Sequence, residues 1–192
     1  MPTQLERRTA TVTRLLDATE VVVHERGYAD TTVAAVCAEA GVSQGGLFRH
    51  FPHRRALLVA TAARVAERQA RVDDVPEGVG LLDGLRHLRA LVRSRPNQVW
   101  HELVRAARTD AELRADLAPA LRDYHRRTGS AVAALAPSGR PWTATHQAAL
   151  RIVVNYLDGE AAVAHVLPDP DRDEATLRAL ADLLRPLLEE NP

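Results

Sequence analysis

Apolar residues recur along most of the chain with the spacing of an α-helix, and this periodicity restricts the fold more than any other feature. Between residues 7 and 26 the apolar positions lie three to four residues apart, which places them on one helix face. These positions are Val12, Leu15, Leu16, Thr19, Val22 and Val23. Similar patterns follow through most of the sequence, and no stretch reads as a convincing strand. We therefore predict an all-α chain of about nine helices.

Breakers and capping residues predict where several of these helices begin and end. Gly27 stops the first helix, and Pro96 ends a helix that starts near Leu81. Asp171 and Glu174 have the spacing of a capping box, which predicts the start of the last helix. Proline and glycine in "APSGRPW", residues 136–142, predict a loop.

Composition limits the class of protein. The chain has 192 residues, 46% apolar and 26% charged, which suits a globular protein with a buried core. Its single cysteine, Cys37, cannot form an internal disulfide, which fits a reducing compartment. No apolar run approaches the roughly 20 residues that span a bilayer, and the N-terminus has no apolar signal-peptide core. We expect a cytoplasmic protein.

Two short helices joined by a tight turn are predicted between residues 33 and 51. A residue at 30–32 caps the first helix, Gly41 ends it, and Ser43 caps the second. This is the pattern of a helix-turn-helix, whose second helix enters the DNA major groove. Glycines at 45 and 46 leave its first turn without side chains, so that its backbone can approach the DNA closely.

The distribution of charge agrees with a nucleic-acid partner, although the net charge is zero. Between Glu39 and Glu67 there is no acidic residue. The same interval contains Arg49, Arg54, Arg55, Arg64, His50 and His53. A segment cleared of acids suits a surface that faces phosphates.

The stretch "GYADTTVAAVCAEAGVSQGGLFRHFPHRRALL" resembles the N-terminal DNA-binding domain of the TetR family of transcriptional regulators. The matching positions are Gly27-Tyr28, Thr31-Thr32, the turn 40–43, the recognition helix 45–51 and Arg54. The resemblance implies a helix-turn-helix DNA-binding domain over residues 1–52. It also implies a helical effector-binding and dimerisation domain over residues 53–192.

The resemblance implies DNA contacts for the matching side chains. Gln44 would read a base, since its amide suits adenine, while His50 and Arg54 would bind phosphates. Phe48 stands where the family usually has Tyr, and Gly46 where it commonly has Thr, Ser or Ala. Both positions therefore lose contacts, and base reading would depend on Gln44, Arg49 and DNA shape. The predicted DNA-contacting residues are Thr31, Thr32, Ser43, Gln44, Gly45, Gly46, Phe48, Arg49, His50 and Arg54.

The remaining helices are expected to bind an effector and a second copy of the chain. The predicted pocket combines apolar walls with a few polar groups, as suits a mostly hydrophobic small molecule. Its candidates are His87, Leu88, Leu91, Trp100, His101, Leu103, Val104, Leu121, Tyr124, His125, Ile152 and Asn155. The last two long helices are predicted to form a homodimer interface. Its candidates are Ala149, Ile152, Val153, Tyr156, Leu157, Ala161, Leu177, Leu180 and Leu184.

These observations predict a repressor that a small ligand releases from a palindromic DNA operator. Two alternatives stay open: an activator or protein-regulated factor, and a helical small-molecule-binding protein or enzyme that no longer binds DNA. No catalytic motif and no phosphate-cradling glycine loop is present. The eight histidines include no pair four residues apart. We therefore expect no cofactor, no metal and no enzymatic activity.

Overall fold

The computed structural model describes residues 3–69, 80–134 and 143–189, which form nine α-helices and no strand. The helices are α1 Gln4–Asp30, α2 Val33–Ala40, α3 Gln44–Phe48, α4 Arg54–Gln69, α5 Leu81–Val92, α6 Arg95–Ala106, α7 Ala111–Ala134, α8 Ala144–Ala164 and α9 Pro170–Glu189. The predicted all-α class is confirmed for this part of the chain. The predicted loop 136–142 lies outside it. No helix among the described residues is long and apolar enough to cross a membrane.

α1 extends beyond the predicted helix at both ends, and each extension has a local cause. A capping box starts it: the Thr3 hydroxyl accepts the Glu6 amide at 3.2 Å, and the Glu6 carboxylate accepts the Thr3 amide at 2.6 Å. Gly27, with φ of 77°, interrupts the helical backbone, and a short helical segment follows it up to Asp30. The predicted stop at Gly27 is therefore a kink.

Two other predicted helix ends are wrong. Pro96 lies in the first turn of α6 and does not terminate α5, because proline is tolerated where no intrahelical amide bond is needed. At the start of α9 the carboxylate of Asp169 accepts a first-turn amide at 3.0 Å, so Asp169 caps this helix and Asp171 does not. Glu174, predicted to complete a capping box, pairs with Arg86 instead.

The chain divides into two compact units, which we describe separately. The first consists of Met1–Gln69 and Arg95–Arg126, so α6 and most of α7 group with the helix-turn-helix. One apolar cluster lies under the helix-turn-helix and is formed by Leu15, Leu16, Ala18, Val22, Val36, Cys37, Leu47, Phe51 and Leu57. A second cluster is formed by Val23, Leu58, Ala62, Val65, Ala66, Val99, Trp100, Leu103, Ala107, Leu113 and Leu117. α1 and α4 contribute to both clusters, so both stabilise the position of the DNA-binding helices.

The second unit, Ala70–Ser94 with Arg127–Pro192, has its own core between α5, α8 and α9. Its buried apolar residues are Leu85, Val92, Val153, Leu157, Leu177 and Ala181. Arg93 bonds to both Glu160 and Asp173, whose side chains are each only 7% exposed. One guanidinium thus connects the three helices of this unit, and removing it would leave two buried carboxylates without that partner.

Candidate nucleic-acid interface

Side-chain caps and one glycine build the helix-turn-helix. The Thr32 hydroxyl accepts the Ala35 amide at 3.1 Å and caps α2, which settles the choice among residues 30–32. Gly41 follows α2 in the left-handed conformation, with φ of 60° and ψ of 38°, where a side chain would be strained. The Ser43 hydroxyl accepts the Gly46 amide at 3.1 Å and starts α3. The predicted Gly41 stop and Ser43 cap are both confirmed.

Arg14 of α1 holds the turn between α2 and α3. Its Nη2 donates to the carbonyl oxygen of Ala40 at 3.0 Å and to that of Gly41 at 2.9 Å. Carbonyls at the C-terminal end of a helix have no intrahelical partner. A cation there also interacts favourably with the negative end of the helix dipole. Arg14 therefore fixes the place where α3 starts. Sequence inspection missed it, because its partners lie 26 and 27 residues further along the chain.

α3 is short and presents one face to solvent. It spans only Gln44–Phe48, less than the predicted helix to about residue 51. Leu47 is fully buried and anchors it, while Phe48 is 47% exposed. Gln44, Gly45 and Arg49 are also exposed, and at 100° per residue Gln44 and Gly45 lie within about 60° of Phe48. This face is available to read base edges in a major groove.

The two glycines of α3 serve different purposes. A Cβ on Gly45 would meet nothing within 4 Å, so its bare backbone faces open space. A Cβ on Gly46 would lie 2.9 Å from Cγ1 of Val42, closer than real Cβ contacts. Gly46 is therefore explained by packing against the turn. Close approach to DNA is an explanation that fits Gly45 alone.

Thr31 does not join the exposed surface. Its side chain is fully buried, and its hydroxyl donates to the carbonyl oxygen of Gly27 at 2.6 Å. A buried hydroxyl does not reach a phosphate, so the predicted contact of Thr31 is wrong in this conformation. Thr32 is exposed, and its hydroxyl still has a hydrogen to donate after capping α2.

Arg54 also turns inward. Its Nε donates to the Thr31 carbonyl at 2.5 Å, its Nη2 donates to the Tyr28 carbonyl, and its guanidinium lies 4.4 Å from the centre of the Tyr28 ring. These contacts join the start of α4 to the end of α1. Arg54 therefore positions the helices around the interface, and its placement does not support the predicted phosphate contact.

In the folded protein, acidic residues from other helices lie close to the interval between Glu39 and Glu67, which has none in its own sequence. Arg55 bonds to Asp116 at 2.8 Å and also to Glu112. Arg64 lies 2.8 Å from Asp17 and 3.1 Å from Glu20. Acidic residues from α1 and α7 thus neutralise cations that the sequence assigns to phosphate. Among the four arginines of this interval, Arg49 alone has no hydrogen-bond or ion-pair partner within the described residues.

His50 remains a candidate for a phosphate contact. It is half-buried, directly after Arg49. Its Nδ1 is buried and has no hydrogen-bond partner among the described residues. Within the described residues no hydrogen bond holds the ring, so it is not committed to a partner inside the protein.

Tyr28 connects α1 with α6 and α7. Its amide donates to Glu102 at 2.9 Å, and its hydroxyl donates to Asp110 at 2.8 Å. Burial and the Asp110 contact raise the pKa of the Tyr28 phenol. The Leu113 amide, then the Tyr28 hydroxyl, lower the pKa of the Asp110 carboxyl. The sequence analysis assigned no partner to Tyr28, since both carboxylates are more than 70 residues away.

The predicted pocket residues fall into both compact units and differ in exposure. In the first unit Trp100 is 3% exposed and Leu103 fully buried, both within the apolar cluster that includes Leu58. Both side chains are therefore part of the core of this unit. Val104, Leu121 and Tyr124 pack against the same cluster, with the Tyr124 ring 5.3 Å from that of Trp100. His101 is half-buried and His125 exposed.

The pocket candidates of the second unit differ equally in exposure. His87 is half-buried, and its Nε2 is buried with no hydrogen-bond partner among the described residues. Leu88 packs on the core of this unit, whereas Leu91 is 40% exposed. Ile152 and Asn155 are exposed on α8. Within the described residues no group of three or more metal-ligating side chains is found.

The predicted dimer residues also separate into two groups. Val153, Leu157 and Leu177 are buried in the core of their own unit, so their assignment to a dimer interface is wrong. Ala161, Leu180 and Leu184 pack against that core, and Ala149 is half-buried. Ile152 and Tyr156 remain exposed. Four exposed apolar residues were missed in the sequence: Val163, Val166, Leu167 and Leu183.

Known bacterial regulators resemble this chain in sequence. The sequence pattern of the family described as "Bacterial regulatory proteins, tetR family" matches residues 15–61. An uncharacterized HTH-type transcriptional regulator of Mycobacterium tuberculosis, Rv2912c, is 36% identical over 188 residues, covering 95% of this chain and 96% of that protein.

Solved structures share the fold. A transcriptional regulator from Rhodococcus sp. Rha1 matches with a TM-score of 0.75 and 21% identity, over 94% of this chain and 99% of that one. The multidrug binding protein EbrR, solved in complex with ethidium, matches with a TM-score of 0.64 and 24% identity, over 88% of this chain and 98% of its own. At these identities the likeness concerns the fold alone.

Proposed function

The chain belongs to the TetR family of bacterial regulatory proteins and is a DNA-binding transcriptional regulator, and we propose that it acts as a repressor. A homodimer binds an inverted-repeat operator through the domain of residues 1–52. A small, mostly hydrophobic molecule, bound by the helical domain of residues 53–192, releases it. The activity is regulation of transcription in the cytoplasm, not catalysis.

The exposed face of α3 is the observation that carries this proposal. Gln44, Phe48 and Arg49 project from a helix that a single buried residue, Leu47, fixes to the core. An amide and a guanidinium are the groups that pair with adenine and guanine edges in the major groove. In this proposal the neighbouring Thr32 and His50 bind phosphates and set the register.

Release by a ligand needs a difference in affinity between two states. The ligand has to bind the form that is off DNA more tightly by a few kcal/mol. EbrR, which shares this fold, is known in complex with ethidium, a largely aromatic molecule. That complex supports a mostly hydrophobic effector for this chain.

The first experiment selects bound fragments from sheared genomic DNA with the purified protein. At about 150 mM salt, non-specific binding is weak and sequence-specific sites dominate. We expect enrichment of one inverted repeat. Binding that occurs only at low salt and enriches no sequence would contradict the proposal.

A pair of glutamine variants then tests the reading face. Gln44→Ala should relax the preference at one operator base pair by about 1–3 kcal/mol. Gln147→Ala, an exposed glutamine on α8, serves as the matched control and should bind like the wild type. An equal loss of base preference in both variants, or no loss in Gln44→Ala, would argue against α3 as the helix that reads the bases.

A reporter gene behind the selected operator tests the sign of regulation. Repression predicts higher expression when the protein is absent, and higher expression when a hydrophobic compound that weakens operator binding is added. Lower expression without the protein would identify an activator.

A further inference from the structure

Residues 3–10, which we call the N-terminal overhang, are the N-cap and first two turns of α1. Every residue from 3 to 10 is exposed, and the first fully buried side chain of α1 is Leu15. The Thr3–Glu6 capping box holds the overhang in helical form, where such a cap contributes about 1 kcal/mol. These two turns add nothing to the core, so we looked for a partner outside the described chain.

The overhang carries two arginines, Arg7 and Arg8. Within the described part of the chain, neither guanidinium has a hydrogen-bond or ion-pair partner. This contrasts with Arg55 and Arg64, whose charges are matched by nearby carboxylates. The one acid of the overhang, Glu6, is engaged in the capping box. The overhang is therefore a cationic surface.

Arg14 fixes where this surface lies. Arg14 contacts the turn at Ala40 and Gly41, so this part of α1 lies beside the α2–α3 turn. Arg7 stands seven residues before Arg14, which is two turns, about 10 Å along the helix, and nearly the same face. Arg7 therefore lies about two helical turns from the residue that holds the α2–α3 turn.

We propose that the N-terminal overhang is a second DNA contact, in which Arg7 and Arg8 bind the sugar–phosphate backbone flanking the base pairs read by α3. Two observations favour DNA as the partner: the charge is complementary, and the surface continues the α2–α3 interface through Arg14. Duplex DNA carries one negative charge per about 1.7 Å of axis, so phosphates are available on either side of the groove. The preformed helix reduces the entropy lost when the two side chains bind.

The inference rests on the proposed DNA-binding function and explains how a neutral chain holds a polyanion. Arg54, Arg55 and Arg64 are occupied within the protein. The overhang adds two cations to Arg49, the one arginine of the interval 40–66 without a partner among the described residues. It raises affinity for every sequence alike, because phosphates carry no base identity.

The salt dependence of operator binding tests the proposal. The double variant Arg7→Ala/Arg8→Ala should reduce the slope of log K against log salt by about 0.9 per arginine, hence about 1.8 per bound protomer. Its loss of affinity should be equal on the operator and on a scrambled duplex. Arg7→Lys/Arg8→Lys should keep the wild-type slope, because lysine retains the charge.

Arg26→Ala is the matched control. Arg26 is exposed on α1, also lacks a partner among the described residues, and stands 19 residues from Arg7, about 29 Å along the helix. Its removal should leave the slope unchanged, and thermal unfolding should be the same in all variants. An unchanged slope in the double alanine variant, or an equal fall in Arg26→Ala, would overturn the proposal.

Protection experiments separate the remaining outcomes. Hydroxyl-radical footprints of the double alanine variant should lose protection only at the outer edges of each half-site. Leu5, 72% exposed on the overhang, offers a different use for it, as a contact with a second copy of the chain. Suppose that Leu5→Ala changes the oligomeric state while the double alanine variant binds DNA with the wild-type slope. The overhang would then be a contact with a second copy of the chain, and the proposed DNA contact would be overturned. Failure of the wild-type protein to bind any operator would overturn the DNA-binding function as well.

Discussion

Tyr28 shows how one residue joins the DNA-binding helices to the helices behind them. Its amide, hydroxyl and ring contact Glu102, Asp110 and Arg54 respectively. A ligand that displaced α6 or α7 would first strain these contacts. The displacement would reach α3 only through them. The same contacts explain why Arg54 points away from DNA, because its guanidinium is held between the Tyr28 ring and two carbonyl oxygens.

Replacing Arg54 should therefore affect folding more than phosphate binding. Arg54→Ala removes a charged donor from two carbonyls, which should lower the free energy of unfolding by about 1.5–3 kcal/mol in urea denaturation. The slope of log K against log salt should stay near its wild-type value. A fall of about 0.9 in that slope with unchanged stability would instead reveal a phosphate contact.

The lowered pKa of the Asp110 carboxyl predicts that the folded protein loses stability in acid. The pKa of its carboxyl lies below its usual value of 3.8, because the charged form accepts the Leu113 amide and the Tyr28 hydroxyl. A carboxyl with a lowered pKa stabilises the fold above its unfolded pKa, and this contribution disappears as pH falls through the folded value.

Urea denaturation of the wild type and of Asp110→Asn at several pH values measures this contribution. The variant should be the less stable of the two at pH 6, and the difference should shrink as pH falls below 3.8. Asp30→Asn, an exposed carboxylate without a partner among the described residues, is the control. A difference that does not depend on pH would contradict the assignment.

At the scale of the helix, α3 depends on its neighbours because five residues cannot hold a helix alone. Gly41 before it and Gly45 within it make a matched pair of test positions. Gly41→Ala puts a side chain at φ of 60° and should cost about 1 kcal/mol of folding stability. Gly45→Ala meets open space and should stabilise the helix slightly, while reducing operator affinity. Urea denaturation and operator titration measure the two effects, and unchanged affinity in Gly45→Ala would mean that its backbone does not approach DNA.

Helix positions were largely predictable, since caps and periodicity are local. The Gly41 stop of α2 and the Ser43 cap of α3 agree with the sequence. The errors arise where one residue can serve two roles: Pro96 ends one helix or begins the next, and Asp169 and Asp171 can each cap α9. Arg14 and Tyr28 could not be assigned, because their partners are remote in sequence and depend on how helices pack.

Across the whole molecule, an exposed apolar stripe is the feature without an internal explanation. Ile152, Tyr156 and Val163 share one face of α8 and are 67%, 40% and 53% exposed. Periodicity predicts that α8 and α9 bury apolar faces, but it does not distinguish a chain's own core from a second copy. That is why Leu157 and Leu177 were misassigned, whereas Ile152 stays a candidate.

Charge on this stripe should separate the proposed dimer. Ile152→Asp/Val163→Asp should shift the protein towards monomer in sedimentation and weaken binding to the inverted repeat, while helix content is kept. Gln147→Asp adds charge to an exposed position on another face of α8 and should leave the oligomeric state unchanged. A wild-type dimer that survives the double aspartate variant would place the interface elsewhere.

The single buried anchor of α3 has an evolutionary consequence. Because Leu47 is the buried residue of this helix, the exposed positions 44, 45, 48 and 49 can change without disturbing the packing beneath them. Duplicated copies of such a gene can therefore acquire new operators by a few substitutions, while the rest of the protein continues to fold as before. Retargeting the protein by design should follow the same route, with residue 47 kept as leucine.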